Sequence, residues 1–501
     1  MQLRAALVLL GWLAACGDEG RLGRECRSDA ECDGLRCAAS SLAASDDLAP
    51  IELRCAAPGS HGEPGEACER PNDCANGLCL LAGACATACE EDGDCAEGAS
   101  CESVYSRSVG ASLATLHACV RVVDLPRDAV VEREVRPGAL VRGDNVIDLP
   151  PLAADAALYV LEHLDDDTWP VPDPQSLCRP PLCARRLLTR EQEPQLLFDL
   201  DSLDDATGPD EAVASGSHVN PLTLLIPNGP RAPLVEAGYS LEVEAKHEGA
   251  LRLTTLSRSE RGQRLDLNLF YVGAAGLRSE GDRGVPLMAA ALAEVDRIFG
   301  QADIYLGEVR QIEVAGELLE RGTPLPDAAA SAGFAQLRSQ YQVLPQLPKL
   351  FELSAGAANC ALDVFFVAGI DARGGGDVGG IAGGTPVAAG MHGTPGSGVV
   401  IAADVYVAAE QSQALGRTLA HELAHALGLF HTTEVDGRVF DPLPDTPSCP
   451  IARDTNRDGA LDAGECAAFG GDNLMFPTTD ATDTRLTPEQ IEVLQRALIL
   501  Q

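Results

Sequence analysis

Apolar positions change their period several times along the chain, and each change marks a segment. Ala5 to Ala15 is a nearly unbroken apolar run, about half the ~20 residues a membrane-spanning helix needs. Residues 26–121 show no apolar period; cysteine alternates there with acid and glycine. From 122 to 262, short apolar or alternating runs (Leu222–Ile226, Ser240–Ala245, Leu251–Leu256) are separated by turn sequences such as Pro227-Asn228-Gly229-Pro230. That pattern predicts an antiparallel, β-sandwich-like domain. From 263 to 501 the runs lengthen. Leu265–Val272, Ile304–Val314, Ala361–Ile370 and Gly398–Ala402 read as strands and Pro286–Phe299 as an amphipathic helix, which predicts an α/β (α+β) unit. Between them, Gly374, Gly376 and Gly379 spell G-x-G-x-x-G, but no helix opens behind them to receive a pyrophosphate. The stretch Gly374–Gly398 therefore reads as a flexible loop. The expected layout is multidomain: an address segment (1–15), a tether (16–25), disulfide-rich repeats (26–121), a β-sandwich-like domain (122–262) and an α/β domain (263–501).

Composition adds compartment and partners. The chain has 501 residues and is 46% hydrophobic, enough for sizeable cores. Lys plus Arg is 37 against 75 Asp plus Glu, a formal net charge of -38, which repels phosphate backbones and argues against nucleic acid as a partner. Of 18 cysteines, twelve lie in residues 26–119 as three repeats of four: Cys26, Cys32, Cys37, Cys55; Cys68, Cys74, Cys79, Cys85; and Cys89, Cys95, Cys101, Cys119. None has the C-x₂-C spacing that brings two thiolates onto one zinc ion, so six disulfides are expected, with connectivity open. Such a stalk fits a spacer, a partner-binding surface or a removable pro-segment equally well. Cys178 and Cys183, around Pro180-Pro181, can close a local loop, and Cys360 reads as a free buried thiol. The run Asp165-Asp166-Asp167 reads as a solvated loop, with a calcium site as the minority reading.

Leu13-Ala14-Ala15-Cys16 resembles the lipobox of bacterial lipoprotein signals. The resemblance implies a signal peptide over 1–15 and a lipidated Cys16 as the mature N-terminus, so that the membrane is touched only through acyl chains. The alternative, an ordinary secretory signal, also exports the protein. The expected location is a bacterial membrane or cell surface, with release to the extracellular space left open.

The chemistry concentrates in Leu415–Thr432. A helix places His421 and His425 on one face, where both imidazoles reach one ion, and Glu422 can reach a water on that ion. Gly428 can end the helix in a left-handed conformation and bring His431 back as a third ligand. Three histidines leave a fourth position open, which marks a catalytic zinc rather than a structural one.

This spacing, H-E-x-x-H-x-x-G-x-x-H, resembles the metzincin metallopeptidases. Asn473-Leu474-Met475-Phe476-Pro477 resembles their Met-turn, with Met475 under the metal. His431-Thr432, Asp445-Thr446-Pro447 and Leu486-Thr487-Pro488-Glu489-Gln490 bring the resemblance closest to the pappalysin-like branch, over Leu265 to Gln501. Phe476 and Pro477 depart from that branch, which often has a polar residue and a tyrosine there, so no tyrosine ligand is assigned. The implied activity is zinc-dependent hydrolysis of peptide or protein substrates, with Glu422 taking a proton from water and passing it to the leaving amine. The strand Val399–Ala402 is the candidate edge for an extended peptide. The alternative is a surface adhesion or binding protein whose metallopeptidase-like domain is inactive.

Asp454 to Glu465 matches the twelve-residue calcium loop of EF-hands. Asp454, Asn456 and Asp458 would give side-chain oxygens, Ala460 a carbonyl, Asp462 a water-mediated contact and Glu465 a bidentate carboxylate. Cys449 and Cys466 bracket the loop and are expected to pair. Little room remains for flanking helices, so the calcium would be structural rather than a sensor.

Overall fold

The computed structural model describes residues 24–32, 34–39, 53–57, 62–96, 98–107, 113–121, 123–126, 128–151, 156–164, 182–194, 196–199, 214–215, 222–226, 238–272, 277, 284–314, 336–338, 347–372, 376–478 and 484–501. Cys16, Cys178, Asp165 to Asp167 and Pro227 to Pro230 lie outside them, and only the backbone of Cys183 is described. No helix among the described residues is long and apolar enough to cross a membrane. The chain divides into two compact units, Met1–Val122 with Ala355–Ala358, and Val123–Ser354 with Asn359–Gln501.

In the first unit, covalent links do what a larger apolar core does elsewhere. Each repeat is joined first cysteine to third and second to fourth: Cys26–Cys37 and Cys32–Cys55, Cys68–Cys79 and Cys74–Cys85, Cys89–Cys101 and Cys95–Cys119. The acid before each second cysteine has a local role. Glu31, Asp73 and Asp94 each accept the main-chain N–H four residues back, from Arg27 (2.8 Å), Glu69 (3.0 Å) and Glu90 (2.8 Å). These bonds close the short turn that carries the cysteine, which explains why an acid recurs at that place.

The second unit opens with two antiparallel sheets. One orders Leu196–Asp199, Leu182–Thr189, Tyr239–Ala245 and Gly143–Leu149; the other orders Ala214–Ser215, Leu222–Ile226, Ala156–His163, Gly249–Arg258 and Val130–Leu140. Along Tyr239–Ala245 every second residue is buried, the period-2 signature of a strand with one face on a core. That core is shared by the two sheets through Tyr159, Leu161, Leu187, Leu224, Leu241 and Leu253.

The α/β part of this unit holds a five-stranded sheet in the order Tyr305–Glu313, Arg264–Val272, Leu362–Val367, Gly398–Ala402, Gly380–Ala382. The first four strands run parallel and the last antiparallel. Leu362–Val367, in the middle, is buried at every position, as a parallel strand covered on both faces must be. Leu267, Leu269, Val364, Phe366, Val399 and Ile401 share one apolar cluster with Val295 of helix Gly284–Phe299 and Leu419 of helix Ser412–Ala426. On the other face Phe270 stacks on Phe365 at 4.8 Å, and Phe351 meets Phe365 edge-on.

Three sequence expectations change here. The run Ala361–Ile370 is not one strand: its sheet pairing ends at Val367, and Gly369–Ala372 pairs with Gln336–Arg338 in a different sheet. The glycine-rich stretch is not only a loop, because Gly380–Ala382 within it is the antiparallel edge of the main sheet. Consequently Val399–Ala402 is enclosed between two neighbours and offers no open edge; the edge belongs to Gly380–Ala382.

The segment after that edge strand is anchored at several points. The Thr223 hydroxyl donates to the Pro386 carbonyl (2.6 Å), Asp124 N–H donates to the Gly390 carbonyl (2.8 Å), and Ala388 and Met391 pack against Leu158, Val160, Leu225 and Leu256. His392 is buried with Nδ1 2.8 Å from the Asp363 carboxylate and Nε2 2.7 Å from the Asn359 carbonyl. Burial works against its charge, but the Asp363 carboxylate, the Asn359 carbonyl and Asp124 together outweigh it and the imidazole is pushed up to about 9.

Candidate metal centre and active site

Helix Ser412–Ala426 forms because Leu415, Leu419 and Leu423 recur every fourth residue on its buried face. His421 and His425 share a neighbouring stripe one turn apart. The helix ends as the sequence leads one to expect, with Gly428 at φ 114°. Leu429 N–H bonds to the Ala424 carbonyl (3.0 Å) and Gly428 N–H to the His425 carbonyl (2.9 Å), the paired bonds of a Schellman cap. This cap also orients an imidazole: the Leu429 carbonyl lies 2.6 Å from His425 Nδ1. After the cap the chain returns, and Thr432 N–H donates to the Met475 carbonyl at 3.0 Å, fixing the backbone beside His431.

The three imidazoles converge. His431 Nε2 is 3.1 Å from Nε2 of both His421 and His425. Among the described residues this is the one group of metal-ligating side chains, outside the disulfide-bonded cysteines, whose ligand atoms all lie within 4.8 Å of one another. Each opposite nitrogen faces an acceptor: His421 Nδ1 the Leu474 carbonyl (2.7 Å), His425 Nδ1 the Leu429 carbonyl, and His431 Nδ1 the Glu434 carboxylate (3.1 Å). Acceptors at Nδ1 place the proton there and leave the Nε2 lone pairs pointing at one another. Three converging lone pairs with no proton between them repel unless a cation sits among them, so the donor set fits a divalent metal. Burial, and then the neighbouring His431, push His421 down to about 3, so it stays neutral, the form in which imidazole binds metal.

Glu422, the residue after His421, is buried. Burial pushes its carboxyl up to about 8, and the Ala382 N–H of the edge strand, donating to it, pulls the other way. The approach is close: a Cβ added at Gly380 would lie 2.5 Å from Glu422 Cγ and 2.9 Å from Cδ. Met475 is fully buried in the core cluster. Its turn is held by Asn473, whose amide exchanges hydrogen bonds with that of Gln490 (2.8 and 3.1 Å). Asp445 accepts from the Thr487 hydroxyl (2.8 Å) and from Glu489 N–H (2.9 Å), so the Asp-Thr-Pro segment and the start of helix Pro488–Gln495 are joined.

The loop Asp454 to Glu465 closes through its own side-chain oxygens. Asp454 accepts from Gly459 N–H (3.0 Å), Asn456 from Asp458 N–H (2.8 Å), Asp458 from Ala460 N–H (2.9 Å) and Asp462 from Glu465 N–H (2.8 Å), while Glu465 reaches back to Thr455 N–H (2.7 Å). Cys449 and Cys466 are bonded, and Leu461 is buried with them and Phe476. Cys360 is free and half-buried, and burial pushes its thiol up to about 12.

Sequence reading missed the Leu474 and Leu429 carbonyls, the Ala382 N–H and Gly380. Backbone groups carry no residue-type signal. Glu434, three residues past the third histidine, was there to be noticed.

No family model matches the chain, and no curated protein matches it. Among solved structures, metalloproteinase-II from Bacteroides fragilis aligns over 47% of this chain with 13% identity and a TM-score of 0.25, a level that carries no weight for fold or function. The chain spans about half (55%) of the length of that protein.

Proposed function

We propose that the chain is an exported zinc-dependent endopeptidase of metzincin type, nearest the pappalysin-like branch. The observation that carries this reading is the convergence of three Nε2 lone pairs, each imidazole held from behind, with a buried carboxylate on the residue that follows the first of them. His421, His425 and His431 would hold the metal. When bound there, zinc would supply Lewis-acid polarisation of the scissile carbonyl and a lowered pKa for water. Glu422 takes a proton from the attacking water as the C–O bond forms and returns it to the amine nitrogen as the peptide C–N bond then breaks, leaving a carboxylate and an amine.

An extended substrate would add to Gly380–Ala382. Ala402 N–H bonds to the Gly379 carbonyl and Gly383 N–H to the Gly398 carbonyl, so the main-chain groups of Gly380 and the carbonyl of Ala382 point away from the sheet toward an incoming strand, while the Ala382 N–H is directed at Glu422. The seven disulfides among the described residues support export. The lipid anchor at Cys16 rests on the sequence alone. The test is cleavage of an unstructured protein by the purified chain, silenced by a zinc chelator and restored by zinc. A folded, zinc-loaded protein that cuts nothing in a broad peptide library would overturn the peptidase reading in favour of a binding protein.

Structural calcium in the Asp454 to Glu465 loop belongs to the same proposal, because Leu461 and the Cys449–Cys466 bond tie that loop to Phe476, next to Met475. Calcium at 100 times its dissociation constant should stabilise the folded chain by about 2.7 kcal/mol. Thermal melting should show that rise in wild type and none in Glu465→Ala. Equal shifts in both would remove the site.

A further inference from the structure

The third ligand is held differently from the other two. His421 and His425 sit on a helix and point their Nδ1 atoms at main-chain carbonyls. His431 lies beyond the helix, its side chain 24% exposed, and its Nδ1 faces a carboxylate, Glu434 Oε1, at 3.1 Å. Glu434 is itself fixed by its backbone: its N–H bonds to the Val439 carbonyl and its carbonyl receives Gly437 N–H, both at 2.8 Å. The residue before it is fastened too, with the Thr433 hydroxyl accepting Cys449 N–H at 2.9 Å. A carboxylate on so constrained a turn sets both the tautomer and the tilt of the imidazole in front of it.

The geometry points to Glu434 as the positioning residue of the metal centre: it orients His431 through Nδ1–H and supplies the negative charge that tightens the hold of three neutral imidazoles on a divalent cation. The inference rests on the zinc reading above. A carbonyl orients an imidazole equally well, but a carboxylate also adds net charge behind the ligand, and His431 Nδ1 faces one where His421 Nδ1 and His425 Nδ1 face main-chain carbonyls.

The test measures zinc binding by the full chain in competition with a chromophoric chelator, for wild type, Glu434→Gln, Glu434→Ala and His431→Ala. Melting of each metal-free protein is recorded beside it. Glu434→Ala should raise the zinc dissociation constant by about 10–100-fold. Glu434→Gln keeps an acceptor and loses the charge, so it should fall between Glu434→Ala and wild type. Metal-free melting should match wild type in both. Zinc affinity equal to wild type in Glu434→Ala would overturn the assignment. So would a metal-free protein destabilised as much as the zinc-loaded one, which would make Glu434 a folding residue. If wild type and His431→Ala both fail to hold zinc, the reading of the centre itself fails, a result separate from either.

Discussion

Glu422→Gln is expected to lose about 10²–10⁴-fold in kcat/KM for peptide hydrolysis while keeping its fold and its zinc. The substitution is nearly isosteric at a buried site, and the glutamine carbonyl oxygen can still accept the Ala382 N–H that now reaches the carboxylate. What disappears is an oxygen able to take a proton. Because the three imidazoles would make the proposed metal set without residue 422, metal content should be unchanged. Steady-state kinetics with metal analysis on the same sample separates the two. Activity equal to wild type would remove Glu422 from the chemistry, and loss of zinc would make it a ligand or a support.

Gly380→Val should damage catalysis without replacing any of the side chains proposed to bind metal or move a proton. The new Cβ would fall 2.5 Å from Glu422 Cγ and 2.9 Å from Cδ and Oε1, so the carboxylate or the edge strand must shift. Misplacing a reacting group by about 1 Å costs on the order of 10²-fold in rate, and overpacking of this kind destabilises by about 1–3 kcal/mol. The expected result is kcat down by roughly that factor, zinc content intact, and a modest fall in melting temperature. A variant with wild-type kcat would mean that the strand and Glu422 are not in contact in the working enzyme.

The two predictions differ in how far the sequence alone could have led to them. His421, Glu422 and His425 are legible because one helical turn is a local rule, and Gly428 and His431 because the cap obeys local rules too. The carbonyls of Leu474 and Leu429 and the N–H of Ala382 are main-chain groups delivered by folding, and no side chain announces them. Glycine hid the edge strand. With no side chains at Gly379 and Gly380 there is no alternation to read, and the composition that looks like a loop is what the close approach to Glu422 demands. The break after Val367 was hidden for the opposite reason, since Val364 to Ile370 is almost uniformly apolar and a change of sheet leaves no mark in such a run. His392 was overlooked because its partner Asp363 is 29 residues away. The cysteine count established that staples exist, but which sulfur meets which is a property of the folded turns.

Those staples have a topological consequence. Because first-to-third and second-to-fourth links overlap, every peptide bond from Cys26 to Cys55, from Cys68 to Cys85 and from Cys89 to Cys119 lies inside at least one covalent ring. One nick within a ring leaves both ends attached. Between Cys26 and Cys119, the chain can be parted by a single cut only in the two short bridges outside the rings, after Cys55 and after Cys85. The modules thus behave as a mesh rather than a thread, and wear from proteases collects at two places instead of along the whole length.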